Sequence, residues 1–561
     1  MRVYVRLALL LGVVGVLLLS GGETVAAPGG TRRVSLSSGG GEGDGVSEYP
    51  AISADGRYAT FHSASKLVTA DTNVLRDVFV RDRQTAATER ASVTSNGVQS
   101  VSGDSVQPAI SADGRYVVFV TFATDLVPGD TQLCLLPVDP EPIEYNCPDV
   151  LAHDRVTGAT VLISLSSGGA QGNGDNMFPD ISGNGRYVAF QSPATNLVAG
   201  DTNVFCQNDP DPELDNCGDV FVRDRDTDVD GIFDEPGDVS TIRVSVSTSG
   251  TQGNEESHDA SISSSGRYVA FTSKATNLVA GDTNVFCQND PDPELDNCGD
   301  VFLRDRDTDV DGTFDEAGDV STIRVSVRNN GTEGNGDSDL ADVSSDGRHV
   351  VFSSDATDLV TGDTNGQTDV FVRNRDTNTT KRLSLSTSGV QGNNWSYAPA
   401  ISSDGRFVAF GSAASNLVAS DTNGKTDVFV RDRDTNRDTD PDGPFDEPGE
   451  VSTTRVSVST SDYRPEGNGE SGDAAISSDG NQVAFWSVAS NLVADDHNGV
   501  DDVFVYDSVV GPVGGIAELP PVSGSSAPNY VPLAGLAAGA LALLSAGAWF
   551  ARRRTRPGRR P

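Results

Sequence analysis

The sequence has few cationic residues and few histidines for its length. Its 561 residues contain 40 Lys and Arg against 81 Asp and Glu, with five His, which gives a formal net charge of −41. Binding to nucleic acid requires Lys and Arg against phosphate, so this balance excludes a nucleic-acid-binding protein. Such an acidic surface is soluble, repels its own copies and attracts cations.

The sequence also lacks the motifs of common enzyme classes. It has no G-x-S-x-G nucleophile elbow, no phosphate loop and no dinucleotide fingerprint. Three histidines, His62, His153 and His349, lie in or beside repeated strands, where a packing or surface role is expected. We therefore predict neither catalytic residues nor an organic cofactor. A carboxylate pair of a glycosidase or lyase has no fixed spacing in sequence, so a site in a central channel stays open.

The main feature present is a ten-residue phrase that occurs seven times. The phrase is ISADGRYATF in the first copy, and its spacings are 58, 71, 81, 81, 58 and 75 residues. The recurrent 58 defines the unit, and the longer spacings carry insertions. A period of this size indicates one supersecondary unit repeated around a ring or along an array. The copies begin at Ile52, Ile110, Ile181, Ile262, Val343, Ile401 and Ile476.

Each unit predicts four antiparallel strands. Asp-Gly between two apolar runs is a hairpin signal, a third strand follows as DVFVRDR, and a fourth follows as RVSVS with period-2 alternation. Four such strands form one blade of a β-propeller. The seventh unit ends without RVSVS, and RVSLS from Arg33 to Ser37 precedes the first unit. We therefore predict an all-β, seven-bladed propeller closed by its N-terminal strand; the alternative is an open β-solenoid.

The phrase S-x-D-G-R-x-V-A-F followed by D-V-F-V-x-D resembles the TolB-type, WD-repeat-like propeller family. The resemblance covers about residues 32–508 and implies a propeller fold. The chain departs from TolB, which usually has six blades and an added N-terminal domain. The role of TolB in a periplasmic complex is therefore not carried over.

The two ends of the chain carry membrane signals. Residues 1–27 are typical of a signal peptide, 28–510 form the predicted propeller, and 511–530 form a Pro/Gly/Ser-rich linker containing LPPVSG. Residues 531–550 form an apolar span long enough for a transmembrane helix, and 551–561 form a basic cytoplasmic tail. The order of LPPVSG, span and Arg tail resembles a sortase cell-wall sorting signal; a plain type I anchor is the alternative. Both predict an extracellular, surface-anchored propeller.

Insertions fall at two places in the unit, and blade geometry puts them on opposite faces. The connections between second and third strands hold all six cysteines, as one pair per loop. An even cysteine count in a secreted chain indicates disulfides, and confinement to single loops favours local pairs. We predict the pairs Cys134 with Cys147, Cys206 with Cys217, and Cys287 with Cys298.

The connections between third and fourth strands hold acidic inserts with the pattern D-x-D-x-D-G. Hard oxygen ligands at alternate positions and a glycine for the sharp turn suit calcium, and the pattern resembles the calcium loops of EF-hand, dockerin and thrombospondin type 3 proteins. Glycine stands where an EF-hand has its twelfth-position Glu, and a solvated acidic turn is the alternative. The predicted metal ligands are Asp226, Asp228, Asp230, Asp234, Asp238, Asp307, Asp309, Asp311, Asp315, Asp319, Asp438, Asp440, Asp442, Asp446 and Glu450.

A weaker acidic pattern lies in the other connection, where Asp71, Asn73 and Asp77 recur in other blades. Asx side chains that bond the local backbone explain such a turn, and calcium is the alternative. Near-identity between residues 198–231 and 279–312 favours a scaffold over a single active site. We therefore predict a monomeric, calcium-stabilised surface module that binds a protein or glycan. The alternative is an extracellular propeller enzyme of glycoside hydrolase, lyase or lactonase type.

Overall fold

The computed structural model describes residues 30–136, 143–202, 218–282, 298–436, 445–460 and 465–508, and the described elements are all β-strands. In the first three blades the strands are β1 (Gly30–Arg33), β2 (Ser47–Ile52), β3 (Tyr58–Ser63), β4 (Asp77–Asp82), β5 (Ala87–Arg90), β6 (Ser105–Ile110), β7 (Tyr116–Thr121), β8 (Leu133–Leu136), β9 (Ile143–Asn146), β10 (Asp149–Asp154), β11 (Thr160–Leu162), β12 (Met177–Ile181), β13 (Tyr187–Ser192), β14 (Asp219–Asp224) and β15 (Ser240–Arg243).

The remaining strands follow the same order. They are β16 (Ser257–Ile262), β17 (Tyr268–Ser273), β18 (Asp300–Asp305), β19 (Ser321–Arg324), β20 (Ser338–Val343), β21 (His349–Ser354), β22 (Asp369–Asn374), β23 (Thr379–Arg382), β24 (Ser396–Ile401), β25 (Phe407–Ser412), β26 (Asp427–Asp432), β27 (Ser452–Arg455), β28 (Ser471–Ile476), β29 (Gln482–Ser487) and β30 (Asp502–Asp507).

Apart from β8 and β9, which form a two-stranded hairpin, these strands form seven four-stranded antiparallel sheets, the blades of a propeller. Blade 1 is β2 to β5, blade 2 is β6, β7, β10 and β11, and blades 3 to 6 follow in groups of four from β12 to β27. Blade 7 has the order β1-β30-β29-β28, so the N-terminal strand completes the last blade. The predicted seven-bladed, N-terminally closed propeller is confirmed.

The first strand of each blade lies at the axis. Each contacts the first strands of both neighbouring blades, in a closed cycle that includes β2 with β28. One hydrogen bond recurs at every junction: the first residue of a blade donates its N–H to a carbonyl just before the third strand of the preceding blade. At the closing junction Ser47 N–H donates to the Asp501 carbonyl at 2.8 Å. The ring therefore closes with the same contact that joins its other blades.

The repeated phrase is explained by the packing between blades. Its glycine has positive φ, as in Gly266 at 80°, a conformation that favours residues without a Cβ. A Cβ on Gly266 would also lie 2.1 Å from Cδ2 of Tyr187 in the preceding blade. The equivalent contacts join Gly56 to Gln482, Gly114 to Tyr58, Gly185 to Tyr116, Gly347 to Tyr268, Gly405 to His349 and Gly480 to Phe407. The phrase thus encodes both the turn and the docking of the next blade.

The core lies between the faces of neighbouring blades. Phenylalanines of the second and third strands stack in pairs, as Phe271 and Phe302 do with ring centroids 5.8 Å apart, and both are fully buried. Val, Ile and Ala from the adjacent blade complete each cluster, as in the group around Phe271. The strict alternation of the sequence therefore places one face of each strand against each neighbour.

The fourth strands lie about four residues earlier in the chain than the sequence predicted. The N-terminal strand is Gly30–Arg33 rather than Arg33 to Ser37, and its Arg33 pairs with Phe504. Beyond it, the N–H groups of Val34 and Ser35 both approach the Val503 carbonyl, so the ladder stops. The RVSLS segment is therefore a buried connection that leaves the blade rather than a paired strand. Val34 and Ser35 are both buried.

Candidate functional site

The acidic inserts of blades 3 and 4 bring three carboxylates together. Ligand oxygens of Asp226, Asp228 and Asp230 all lie within 4.8 Å of one another. The Asp226 carboxylate accepts hydrogen bonds from the N–H groups of Asp230 and Gly231, at 3.1 and 3.0 Å, which curls the loop around it. In blade 4 the same group is formed by Asp307, Asp309 and Asp311.

A glutamate that the sequence analysis did not select as a ligand faces each group. Desolvation and the carboxylates of Asp230, Asp228 and Asp238 raise the pKa of Glu235. In blade 4, Asp311 and desolvation raise the pKa of Glu316. Glu235 and Glu316 belong to the acidic inserts, but they do not occupy ligand positions of an EF-hand loop. Comparison with that loop therefore did not select them. The charges of Asp238 and Asp319 also raise the pKa of these glutamates, and the role of both aspartates as metal ligands stays a prediction.

The structure places Asp234, Asp315 and Asp446 elsewhere. Asp234 forms an ion pair with Arg225 at 2.6 Å, and the equivalent pairs are Arg306–Asp315 at 2.5 Å and Arg433–Asp446 at 2.9 Å. These carboxylates are therefore held by guanidinium groups rather than brought into the acidic group. The sequence spacing missed this because the arginine partners precede the inserts, at the ends of the third strands.

The insert of blade 6 is described only in part. Asp438, Asp440 and Asp442 lie outside the described residues. Glu450 closes the loop with its backbone, accepting a hydrogen bond from Thr435 N–H at 2.7 Å. Asp238 makes the same contact with Thr227 N–H in blade 3.

The geometry of the acidic groups suits a calcium ion. Calcium takes six to eight oxygens at about 2.3–2.6 Å, so ligands on opposite sides of one ion lie up to about 5 Å apart. The 4.8 Å limit on the carboxylates of blade 3 meets this requirement. Asp228 and Asp230 are exposed, which leaves the loop accessible to an ion and to water ligands.

The cysteine inserts are confirmed as disulfide loops where they are described. Cys134 and Cys147 form a disulfide with a Cα–Cα distance of 5.0 Å across the hairpin of β8 and β9. Cys298 is also disulfide-bonded. Cys206, Cys217 and Cys287 lie outside the described residues, so the two remaining pairings stay predictions.

The weaker acidic pattern forms ion pairs with arginine. Arg90 lies between the carboxylates of Asp71 and Asp77, at 3.5 and 3.0 Å, and the Asn73 amide donates to Asp77 and to the Ser100 carbonyl. An arginine stands in the same place in blades 3 to 7, as Arg243, Arg324, Arg382, Arg455 and Arg33. The turn interpretation is therefore the one that the structure supports.

The innermost strands differ from the rest of the unit because the residues in the middle of each strand vary between blades. One residue of each strand, the third in six of them and the second in β12, has positive φ without being glycine. Its side chain differs in nearly every blade: Tyr49, Gln107, Phe178, Asp259, Leu340, Ala398 and Asp473, with φ between 45° and 52°. Such backbone conformations are uncommon and concentrate at functional sites. The blades therefore differ in sequence mainly at the axis.

Blades 6, 7 and 1 place an aromatic and acidic group on or beside these strands, which we call the axial cluster: Glu48, Trp395, Tyr397, Asp473 and Trp486. Trp395 directly precedes β24, and Trp486 lies on the neighbouring strand β29. The rings of Trp395 and Tyr397 lie 5.0 Å apart, and Trp486 Nε1 donates to the Asp473 carboxylate at 2.8 Å. A Cβ on Gly472 would lie 2.9 Å from the Tyr397 hydroxyl and 3.2 Å from Trp486 Cζ2. The glycine thus leaves space between the two aromatic side chains.

Glu48 is the titratable member of the axial cluster. Burial, followed by the charge of Asp501 and a hydrogen bond with it, raises the pKa of Glu48 to about 7, with a further contribution from Asp473. His62 Nε2 lies 3.8 Å from the Glu48 carboxylate, but burial and Arg76 hold the pKa of His62 near 3. Glu48 is therefore linked to the aromatic residues through Asp473, which accepts a hydrogen bond from Trp486.

A second set of unrepeated acids joins neighbouring blades at the axis. The Asp180 carboxylate accepts the N–H of Ile262 at 2.8 Å, and the Asp342 carboxylate accepts the N–H of Ile401 at 2.8 Å and the Ser261 hydroxyl at 2.7 Å. Burial raises the pKa of Asp180 to about 7. Alanine stands at this position in blades 1, 2, 6 and 7, as Ala51, Ala109, Ala400 and Ala475.

The chain is a seven-bladed β-propeller, and it was compared with known families, sequences and structures. No protein-family model matches the sequence, and no curated protein matches it. Solved structures that are similar include TolB from Acinetobacter baumannii, with 12% identity, a TM-score of 0.31, and coverage of 73% of this chain and 66% of TolB.

Two other similar structures are those of enzymes. An oligogalacturonate lyase in complex with manganese has 10% identity and a TM-score of 0.41, and the match covers 85% of this chain and 93% of the lyase. The acylaminoacyl peptidase of Pyrococcus horikoshii has 8% identity and a TM-score of 0.43, with coverage of 82% and 51%. At these scores the matches carry no argument about activity, and the propeller rests on its own seven blades. Among the described residues no helix is long and apolar enough to cross a membrane.

Proposed function

We propose that this chain is a secreted, surface-anchored propeller that binds a glycan at its axial cluster and is stabilised by calcium. The observation that carries the proposal is the axial cluster itself. The sequence has three tryptophans; Trp395 and Trp486 both lie in this cluster, and Trp549 lies outside the described residues.

The chemistry of the cluster suits a saccharide. A pyranose ring has an apolar C–H face that packs on aromatic rings, and its hydroxyl groups donate to carboxylates. Ligand sites combine apolar and aromatic walls with a few convergent polar groups. Trp486 and Tyr397 supply the rings, and Asp473, held by Trp486 Nε1 at 2.8 Å, supplies an acceptor in a fixed orientation.

A glycan array with the full chain, followed by calorimetric titration of the best ligand, tests this proposal. We expect Trp486→Ala to weaken binding at least about tenfold, since the loss of an aromatic anchor costs more than 1 kcal/mol. Tyr145→Ala is the matched control, because it removes an aromatic residue from the loop that carries Cys134 and Cys147. Unchanged binding by Trp486→Ala, or an array without ligands, contradicts the proposal.

An extracellular saccharide-cleaving enzyme is the second candidate, and Glu48 favours it. A carboxyl group with a pKa of about 7 is protonated for part of the time at neutral pH and can donate to a glycosidic oxygen. Asp473 lies near enough to influence it. We expect Glu48→Gln to abolish cleavage of an array-selected oligosaccharide while binding is retained. Absence of cleavage by the unaltered chain contradicts this candidate and leaves the binding proposal intact.

Calcium is proposed for the acidic inserts. When bound, the ion would neutralise the grouped carboxylates, and Asp226, Asp228 and Asp230 would hold it in blade 3, together with Glu235 and Asp238. We expect calorimetric heat on titration with calcium after chelation, and a rise in melting temperature that Asp228→Asn with Asp309→Asn reduces. Absence of both heat and a melting shift contradicts calcium binding.

The extracellular location and the anchor are proposed from residues 1–27, 519–524 and 531–550. Mass spectrometry of the protein extracted from cells would identify its ends. A new N-terminus near residue 28 is expected, and a C-terminus within LPPVSG would indicate sorting rather than a type I anchor. Retention of residues 1–27 contradicts secretion by cleavage.

A further inference from the structure

An arginine follows the third strand in six blades and lies against the preceding blade. Five of these arginines are held by a carboxylate at 2.9 Å or less: Arg83 by Asp507, Arg155 by Glu89, Arg225 by Asp234, Arg306 by Asp315 and Arg433 by Asp446. The sixth, Arg375 of blade 5, has its ion pair with Asp305 at 3.8 Å. Its Nε is buried without a hydrogen-bond partner, as is that of Arg83, and its Nη1 donates to the Gly347 carbonyl at 2.8 Å. Arg375 therefore lacks the close carboxylate that its counterparts have.

In three blades the close carboxylate comes from a Phe-Asp dipeptide of the insert. In blade 3 the Asp234 N–H donates to the Arg225 carbonyl at 2.7 Å, and the Asp234 carboxylate accepts from the Arg225 guanidinium at 2.6 Å. The Phe233 ring lies 5.2 Å from the Tyr116 ring of blade 2 and 4.9 Å from the Arg225 guanidinium. Phe314-Asp315 and Phe445-Asp446 repeat these contacts in blades 4 and 6.

Blade 5 has no insert, and an open groove takes its place. Only residues 375–378 connect β22 to β23. Between blades 4 and 5 lies a cavity of about 680 Å³ lined by Tyr268, by five arginines that include Arg373 and Arg375, and by Asp305, Asp346 and Asp376. Asp305 and Asp376 pair with two of the other arginines at 2.7 Å, so Arg373 and Arg375 are the ones without a close carboxylate. The cavity at the next junction, where Phe445 is present, measures about 170 Å³. The Arg375 guanidinium covers Tyr268 at 4.9 Å, so the aromatic and arginine parts of the contact are both present in the groove.

The junction of blades 4 and 5 also lacks a contact that joins the other blades. At six junctions the N–H of a residue in the turn of the phrase donates to the equivalent carbonyl of the next blade, as Gly183 does to Ser264 at 2.9 Å. Within the described part of the chain, the equivalent bond from Ser264 to Ser345 is not made. The open groove therefore coincides with a less tightly joined pair of blades.

We propose that this groove binds a peptide segment of a partner protein in which an aromatic residue is followed directly by an acidic one. The partner's carboxylate pairs with Arg375, its aromatic ring packs against Tyr268, and its N–H donates to the Arg375 carbonyl. Charge-assisted and bidentate contacts of arginine with carboxylate are strong and directional. The inserts of this chain already display such a peptide in the equivalent position of three other blades.

Ligand-observed NMR with the full chain and the peptide GIFDEPG, the sequence of residues 231–237, tests the proposal. Two control peptides, GIADEPG and GIFNEPG, each remove one contact, and we expect both to bind at least about tenfold more weakly. Equal binding by the three peptides, or no binding of GIFDEPG at millimolar concentration, overturns the proposal.

Variants of the chain locate the site. Arg375→Gln is expected to reduce GIFDEPG binding at least about tenfold, whereas Arg155→Gln is the matched control, because Glu89 already holds that guanidinium at 2.5 Å. Arg375→Glu is expected to prefer GIFKEPG over GIFDEPG, which tests the contact by charge exchange in a protein shown by its melting curve to be folded. Unchanged binding by Arg375→Gln, or no preference in the exchanged pair, places the peptide elsewhere and overturns the proposal.

Discussion

The turns of the repeated phrase and the innermost strands belong to the same hairpins, yet they use their residues differently. In the turns every blade repeats the glycine and, in most blades, the aromatic residue that docks against it. On the innermost strands the residue with positive φ changes in nearly every blade while that φ is kept. The comparison teaches that this chain keeps the contacts between blades constant and varies the side chains at the axis.

The largest expected effect is at the repeated turn. Gly266→Ala adds a Cβ at φ 80° and 2.1 Å from Tyr187 Cδ2, so strain and overpacking should lower the free energy of unfolding by about 3 kcal/mol. Gly250→Ala is the matched control, because its φ is 82° with nothing within 4 Å, and about 1 kcal/mol is expected. Chemical denaturation measures both. Equal losses of stability in the two variants would show that positive φ, and not the contact with Tyr187, is the reason for glycine at position 266.

A pH-dependent effect is expected at the axis. The pKa of Asp180 is raised to about 7 in the folded protein, against about 3.9 in an unfolded chain, so the folded state binds more protons between these values. Stability should therefore fall as pH rises from 5 to 7. Asp180→Asn should remove about one proton from that dependence, or about 1.4 kcal/mol per pH unit. Exposed Asp44→Asn should leave the slope unchanged, and an unchanged slope in Asp180→Asn would contradict the assignment.

Two exchanges of the residue that docks against the repeated glycine should change the free energy of unfolding by smaller amounts and in opposite directions. At the junction of blades 7 and 1, Gln482 stands where Tyr, His or Phe docks elsewhere, whereas Tyr58 lies under the Arg155 guanidinium at 4.4 Å. Tyr58→Gln should lower the free energy of unfolding by about 1–2 kcal/mol, and Gln482→Tyr should raise it by about 1 kcal/mol. Thermal and urea unfolding test both. A destabilised Gln482→Tyr variant would mean that the closing junction has its own packing.

The smallest expected effect on stability is in the axial cluster. Trp395 is 37% exposed, so Trp395→Ala should change the free energy of unfolding by less than about 1 kcal/mol while glycan binding falls. Parallel melting and titration experiments separate the two quantities. A loss of stability equal to that of Gly266→Ala would show that the axis, too, is structural.

The sequence predicted the ring because closure depends on residues that every blade shares. The Asp-Gly turn, the buried Phe pairs and the missing fourth strand of the last unit all follow from local pattern. The Cys134–Cys147 loop also follows from local spacing. The start of the fourth strand was misplaced because RVSVS alternates in burial after its pairing has ended.

The candidate sites were less predictable because they depend on contacts between blades. Asp234 lies in a ligand-like position of its insert, but Arg225 from the end of the third strand pairs with it. Asp473 and Trp486 come from blade 7 and Glu48 from blade 1, and only the closed ring brings these two blades together. Aligning the seven units and selecting the columns that differ would have indicated these innermost positions.

Closure by β1 also has a consequence for the order of folding. Gly30–Arg33 pairs with Asp502–Asp507, so its partner is synthesised last and the first strand must wait for nearly the whole propeller. Contacts of such long sequence separation form slowly, because a large loop must close first. Until then blade 7 and the first strand each expose an unpaired edge, which favours pairing between chains. Ring closure therefore has to follow the synthesis of β30, and the chain is most prone to aggregation before that strand is available.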